Sequence, residues 1–212
     1  MIRNLLLFAL AILIFSCTSD DSQIQQDDEA NFYALEVGNW WVYKNYKYNI
    51  NTEFYENTGV VDSVSIVGTE MIDGSTYYEF RTKTTGNEDG ITYCNPNGEH
   101  FELLRDSLGY LIWETGQIKF TNNDYEQREL NAQNWGTIYE KLMQEQETLS
   151  VESGTFSCIY FERYAIDSNG NQLPGKDHFY YSDGIGLIYD TSSFVSDPIH
   201  VVERRLDTYF VQ

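Results

Sequence analysis

Three histidines, His100, His178 and His200, are the first groups to weigh for catalysis or metal binding, and they stand far apart in the chain. No His-Glu-x-x-His places two imidazoles on one helix face, and no Gly-x-Ser-x-Gly turn presents a nucleophilic serine. Asp177-His178 and Pro198-Ile199-His200 carry single histidines on strand-like stretches, where a solvated or hydrogen-bonded ring is a simpler reading than a ligand. Asp and Glu number 33. A carboxylate pair spaced for glycoside hydrolysis, roughly 5–9.5 Å apart, could arise among so many by chance, and their abundance gives no way to choose two. Asp167-Ser168-Asn169-Gly170-Asn171 has oxygen donors at alternate positions, like the opening of a calcium loop. It has Gln172 where that loop needs Gly and His178 where it needs Glu, so an Asn-Gly turn explains it better. Gly184-Ile185-Gly186 lacks the third glycine and the helix of a dinucleotide site, and no glycine loop followed by lysine could cradle a phosphate. No metal and no cofactor is therefore expected. What remains is aromatic: Trp40, Trp113 and Trp135 are the side chains to test first for stacking on a sugar or holding an apolar ligand. The competing reading is that the aromatics fill half-buried strand positions and barrel rims.

The elements that would position these groups follow from composition and pattern. The chain has 212 residues, with 13 Lys+Arg against 33 Asp+Glu and a formal net charge of -20. That length suits one domain. Hydrophobic residues at 42% can build a core, and aromatics at 16%, including 17 Tyr, favour strands. The acidic balance excludes nucleic acid, which requires Lys/Arg clusters, and docking on anionic lipid through a basic face.

Residues 1–16, MIRNLLLFALAILIFS, have a positive Arg3 followed by the apolar run Leu5–Phe15. The run is too short to span a bilayer, which takes about 20 residues, and suits a secretory signal. Ile14-Phe15-Ser16-Cys17 resembles the lipobox of bacterial lipoproteins, in the looser form of Bacteroidota-type bacteria. The resemblance implies cleavage before Cys17 and acylation of its sulfur and new amino group, a multi-chain anchor that holds stably. Residues 17–32 then read as the lipidated Cys and an acidic flexible tether. Asp20-Asp21 resembles the acidic export signal of surface-displayed lipoproteins, so outer-membrane anchoring facing the cell surface is expected over facing the periplasm.

Cys94 and Cys158 would then stand in an oxidising compartment. A bridge between them needs Cα atoms within roughly 7 Å and would stabilise by ~4 kcal/mol; the alternative is two buried thiols acting as small apolar groups. No Cys-x-x-Cys exists, which excludes a zinc ribbon or a redox motif.

From Leu35 onward the hydrophobic period is two. One face of the first strand carries Trp40, Val42, Tyr46, Tyr48 and Ile50; the other carries Trp41, Tyr43, Asn45, Lys47 and Asn49. Residues 60–71 and 75–84 predict a hairpin turned by Asp73-Gly74. Further strands are expected near 91–94, at 101–105, 110–113 and 118–120, as one long strand over 137–151, and at 155–166, 178–182, 187–190 and 199–211. Residues 121–134 are the best candidate for a short helix or an irregular excursion. About ten strands with no strand–helix alternation make a parallel α/β sheet unlike this chain. The fold class expected is all-β, or β-rich with one short helix, as a strongly curved antiparallel meander, half-barrel or barrel over residues 33–212.

Three stretches, taken in order, resemble a largely uncharacterised set of secreted and lipoprotein domains of Bacteroidota-type bacteria. Leu35-Glu36-Val37-Gly38-Asn39-Trp40-Trp41-Val42-Tyr43 is similar to that set's L-x-x-G-N-x-W-x-Y opening. Residues 151–158, VESGTFSC, are similar to its V-x-x-G-T-F-x-C hairpin, and residues 180–188, YYSDGIGLI, to its Y-Y-x-x-G-I-G-L-V turn. The resemblance implies a curved antiparallel sheet like the half-barrels of periplasmic lipoprotein carriers, and implies no activity. The expectation is a non-catalytic binding or accessory module of the envelope for an apolar or glycan ligand. The alternatives are an assembly protein that contacts another envelope protein through a strand edge and, more remotely, a carboxylate-pair hydrolase.

Overall fold

The computed structural model describes residues 31–212, and every regular element among them is a strand. The strands are β1 (Trp40–Asn49), β2 (Phe54–Ile72), β3 (Ser75–Thr85), β4 (Gly98–Ser107), β5 (Tyr110–Trp113), β6 (Ile118–Thr121) and β7 (Arg128–Gln133). They continue as β8 (Gly136–Leu142), β9 (Glu147–Val151), β10 (Gly154–Asp167), β11 (Gln172–Ser182), β12 (Gly186–Ser192) and β13 (Val202–Phe210). The signal segment, Cys17 and most of the tether lie outside the described residues.

All pairings are antiparallel, in the order β6-β5-β4-β3-β2-β1-β13-β12-β11-β10-β8-β7, with β9 also on β10. The chain starts in the middle of the sheet, meanders out to β6, crosses to β7 at the opposite edge, and meanders back until β13 lies beside β1. Eleven strand spacings would set those edges ~53 Å apart in a flat sheet. The link from Thr121 to Arg128 can span only ~24 Å. The sheet must therefore roll up, and the packing shows that it does. Phe120 of β6 stacks on Tyr181 of β11 at 3.9 Å between ring centroids and meets Phe161 of β10 at 4.5 Å. These rings pack across the inside of the roll, with no ladder joining β6 to β7, so the sheet is a curved meander and not a closed barrel.

Residues 31–39 run past the β4–β5 and β11–β12 turns before entering β1. The Phe32 carbonyl accepts from the Gly184 amide at 3.1 Å, and the Tyr33 hydroxyl donates to the Gly109 carbonyl at 2.5 Å. Asn39 is fully buried; its amide donates to the Ala34 carbonyl and its side-chain oxygen accepts from the Gln212 amide, which ties the two ends of the domain together.

The local packing accounts for the three sequence stretches. Trp41 donates its indole N–H to the Ile185 carbonyl at 2.8 Å, and Tyr43 its hydroxyl to the Leu187 carbonyl at 2.9 Å. The opening strand and the glycine turn are thus one packed unit. At the third stretch, Ser153 donates through amide and hydroxyl to the Leu206 carbonyl.

Three sequence expectations are corrected. There is no strand at 91–94, because Asn87 takes over the hydrogen bonding of that segment: its side chain accepts from the Ile91 amide at 2.7 Å and donates to the Asn95 carbonyl at 2.8 Å. The long strand over 137–151 is two strands, since β8 pairs with residues 161–167 of β10 and β9 with residues 154–158, and residues 143–146 bulge opposite Ile159 and Tyr160. Residues 121–134 form no helix. Thr121 and Asp124 accept backbone amides through their side chains and turn the chain into β7.

Candidate functional site

Alternation along β1 puts Trp41, Tyr43 and Asn45 on the concave face, where they are buried. Beside them the roll is not filled. A cleft of about 360 Å³ remains, lined among others by Tyr33, Trp41, Phe80, Phe101, Glu102, Lys119 and Arg204. Its aromatic floor is the Trp41–Phe80 pair, stacked at 6.2 Å and 15°. Phe101, between His100 and Glu102 on β4, turns its side chain to the other face, where it is 57% exposed. Tyr33 and Tyr181 form the wall shared with the Phe120 cluster. Asn95, Thr82 and His100 add further polar groups to the lining, and His100 has a ring nitrogen 2.9 Å from the Pro96 carbonyl.

The charged lining comes from neighbouring strands. Glu102 on β4 receives the Lys119 ammonium of β6 on both oxygens, at 2.5 and 2.6 Å, and the Trp113 indole N–H of β5 at 2.8 Å. Burial pushes the Glu102 carboxyl up, but Lys119 and the indole outweigh it and hold the group below the usual carboxylate range. Arg204 on β13 lies between Asp190, which its Nε meets at 3.0 Å and its Nη2 also contacts, and Asp62, 3.8 Å from Nη1. Its guanidinium lies 5.1 Å from the Tyr43 ring centroid. Burial works against the charge on Arg204, and Asp190 and Asp62 outweigh it, raising its pKa further. Asp62 is held in turn by Asn45 at 3.2 Å, by Asn95 at 3.4 Å and by the Thr84 hydroxyl.

The structure does not gather the tryptophans singled out from the sequence. Trp40 is one residue from Trp41 and therefore faces the other way, stacked on Phe210 outside the cleft. Trp135 is in the β7–β8 turn, 42% exposed. Trp113 alone bears on the cleft, through its bond to Glu102. Cys94 and Cys158 are free thiols, so the bridge weighed from the sequence is not made. Cys158 lies buried on β10, with its sulfur 3.9 Å from the Phe156 carbonyl, and Cys94 lies in the loop held by Asn87. Burial pushes both thiols up to about 11. Cys158 is buried like the small apolar group weighed as the alternative, whereas Cys94 is only part-buried. Asp167 spends its carboxylate on the amides of Asn169 and Asn171, the Asn-Gly turn preferred over a calcium loop.

The histidines stay apart from the cleft's charged centre, apart from His100. His178 and His200 meet edge to face at 5.6 Å, and burial followed by the neighbouring His200 lowers the His178 pKa. Among the described residues, no group of three or more His, Cys, Asp and Glu is arranged to hold a metal ion. Among the described residues, Glu102 is the one carboxylate lining the cleft. Asp177, whose carboxyl burial pushes up, lines a separate hollow with Arg163, Ser193 and Phe194.

Sequence reasoning missed Glu102, Lys119 and Arg204. One signal was available: Arg204 shares strand parity with Val202 and Leu206, so an ionisable group stands at an inward position of the last strand.

No family model matches this chain, and no curated protein is significantly similar to it. Two solved structures are similar in shape. One is a Bacteroides fragilis protein, inferred to be exported, with a YmcC-like fold: the TM-score is 0.50 at 9% identity, over 84% of this chain and 98% of that chain. The other is a Parabacteroides distasonis protein inferred to be a lipoprotein, with a TM-score of 0.44 at 13% identity and the same coverage. The first likeness bears on the fold alone: the curved meander described above is similar in shape to that sheet.

Proposed function

We propose that this protein is a lipid-anchored, non-catalytic component of the bacterial envelope whose concave cleft binds a glycan. The observation that carries the reading is the open cleft of about 360 Å³ on the inner face, with aromatic rings beside hydrogen-bonding side chains. Sugars need both kinds of surface, since their C–H faces stack on aromatic rings and their hydroxyls take directed hydrogen bonds. Of the two ligand classes expected from the sequence, an acyl chain fits less well. It would strip water from Glu102, Lys119 and Arg204 and return no hydrogen bond.

The envelope part of the reading rests on Arg3, the apolar run and Cys17, and accords with the exported Bacteroides fragilis relative in fold. The test has two arms. Radiolabelled palmitate should enter the wild-type protein and fail to enter Cys17→Ala; equal labelling of both would remove the anchor. Titration of the whole protein against glycan and fatty-acid panels, followed by tryptophan fluorescence, should give saturable binding with glycans alone. Saturation by fatty acids alone would reverse the ligand assignment, and saturation by neither would remove the binding role.

A further inference from the structure

We infer that the cleft selects a neutral, hydroxyl-rich sugar residue and discriminates against charged ones. This rests on the glycan reading above and adds to it the class of sugar.

The inference follows from charge accounting on the cleft wall. The permanently charged residues lining it are Glu102, Lys119 and Arg204. Each already has its counter-charge inside the fold. Glu102 and Lys119 neutralise each other through two contacts of 2.5 and 2.6 Å. Arg204 faces two carboxylates, Asp190 and Asp62, and the surplus negative charge is kept from a ligand because both are buried and neither lines the cleft. A uronate, a sulfated sugar or a protonated amino sugar entering this space would shed its water and find every opposite charge taken. The desolvation cost of an ion is large and is recovered only by a partner free to pair with it. The whole chain adds a general field that repels anions, at a net charge of -20.

A hydroxyl asks for less. It needs a donor or an acceptor, and paired ions still supply both. Lys119 has a third ammonium hydrogen beyond its two contacts to Glu102. Arg204 Nη1 stands 3.8 Å from Asp62, beyond hydrogen-bond reach, and can donate elsewhere. Thr82 and the Asn95 side-chain oxygen line the same wall. The stacked Trp41–Phe80 pair on the floor supplies the aromatic surface against which the apolar side of a pyranose can lie. The volume, about 360 Å³, is at the small end for ligand sites and suits part of a glycan rather than a long stretch of polymer.

The experiment is calorimetric titration of the full chain with three oligosaccharide sets matched in length: uncharged xylo-oligosaccharides and gluco-oligosaccharides, oligogalacturonides, and chitosan oligomers. Saturable binding is expected for a neutral set, with both charged sets weaker by about tenfold or more. Two variants then turn the selectivity over. Glu102→Gln releases the Lys119 ammonium and should raise affinity for oligogalacturonides about tenfold; Lys119→Met releases the Glu102 carboxylate and should do the same for chitosan oligomers. The double exchange Glu102→Lys with Lys119→Glu restores the pair and should restore neutral selectivity, which separates a charge effect from a folding defect. Wild-type binding of a charged set as tight as its neutral counterpart would overturn the inference and leave the glycan reading standing. Single variants that remain folded and show unchanged selectivity would overturn it as well. Absence of saturable binding to all three sets would overturn the glycan reading itself, and the inference with it.

Discussion

The inside of the rolled sheet has two halves built from similar parts with opposite outcomes. On the β8–β10 side, Glu140 is completely buried and receives Arg128 and, at 3.1 Å, Arg163. The guanidinium of Arg128 lies over the Phe161 ring at 5.2 Å, and Phe161 packs on Phe120. On the β3–β5 side, Glu102 is paired with Lys119, and about 30% of each side chain is exposed. One acid–base cluster is sealed beneath aromatic rings and the other opens onto a cleft. The chemistry of the pair does not decide its role. What differs is the cover: the first cluster lies against Phe161, which Phe120 backs, whereas the second, with the Trp113 ring 5.3 Å from the Lys119 ammonium, is left part-exposed.

Four measurements can break or sharpen this contrast. The largest effect should come from Phe120→Ala, which empties the place where the two edges of the sheet meet; a loss of about 4 kcal/mol is expected in urea unfolding. A loss below ~1 kcal/mol would mean that the seam is held elsewhere. Next, Glu140→Gln strands Arg128 and Arg163 without a carboxylate and should cost about 3 kcal/mol. Third, Tyr33→Phe removes a hydroxyl that spans the two halves by bonding to Gly109, for about 1 kcal/mol. The smallest effect at neutral pH should be Lys119→Met, under ~1 kcal/mol, because the pair is part-exposed.

The last variant has a sharper signature in acid. The folded Glu102 carboxyl is held below its ordinary value of 4.5. The folded protein therefore binds this proton less readily than the unfolded chain, and the stabilisation is present above pH 4.5 and lost as pH falls through the folded pKa. Without Lys119, only the Trp113 indole and Arg204 are left to oppose burial, so the contribution of Glu102 to the acid slope should shrink. Unfolding curves from pH 6 to pH 3 on both proteins would show it; parallel slopes would remove the electrostatic account of the pair.

The fold was legible where short-range chemistry dictates it. Asp73-Gly74 occupies the positive-φ positions a tight hairpin needs, at 48° and 78°, and the hairpin stands where it was expected. Tyr110–Trp113 is the strand the pattern predicted. Legibility failed where side chains replace the ladder, as Asn87 does for Ile91 and Asn95, because an apolar run looks the same whether its amides pair with a strand or with an asparagine. The site failed for another reason. Trp40 and Trp41 are adjacent in a strand with aromatic residues on both faces, so alternation yields two faces without saying which turns inward. That choice is made by Phe80, Ile185 and Leu187, all distant in sequence.

The segment at residues 31–39 has a mechanical consequence. It is fastened by single bonds, from Gly184 of the β11–β12 turn and to Gly109 of the β4–β5 turn, before the chain enters the long pairings of β1. Traction applied at Asn31 would load those two fastenings first and the ladders only afterwards. Because Tyr33 is also part of the cleft wall, the first thing to yield under tension would be the shape of the cleft, well before the sheet itself comes apart.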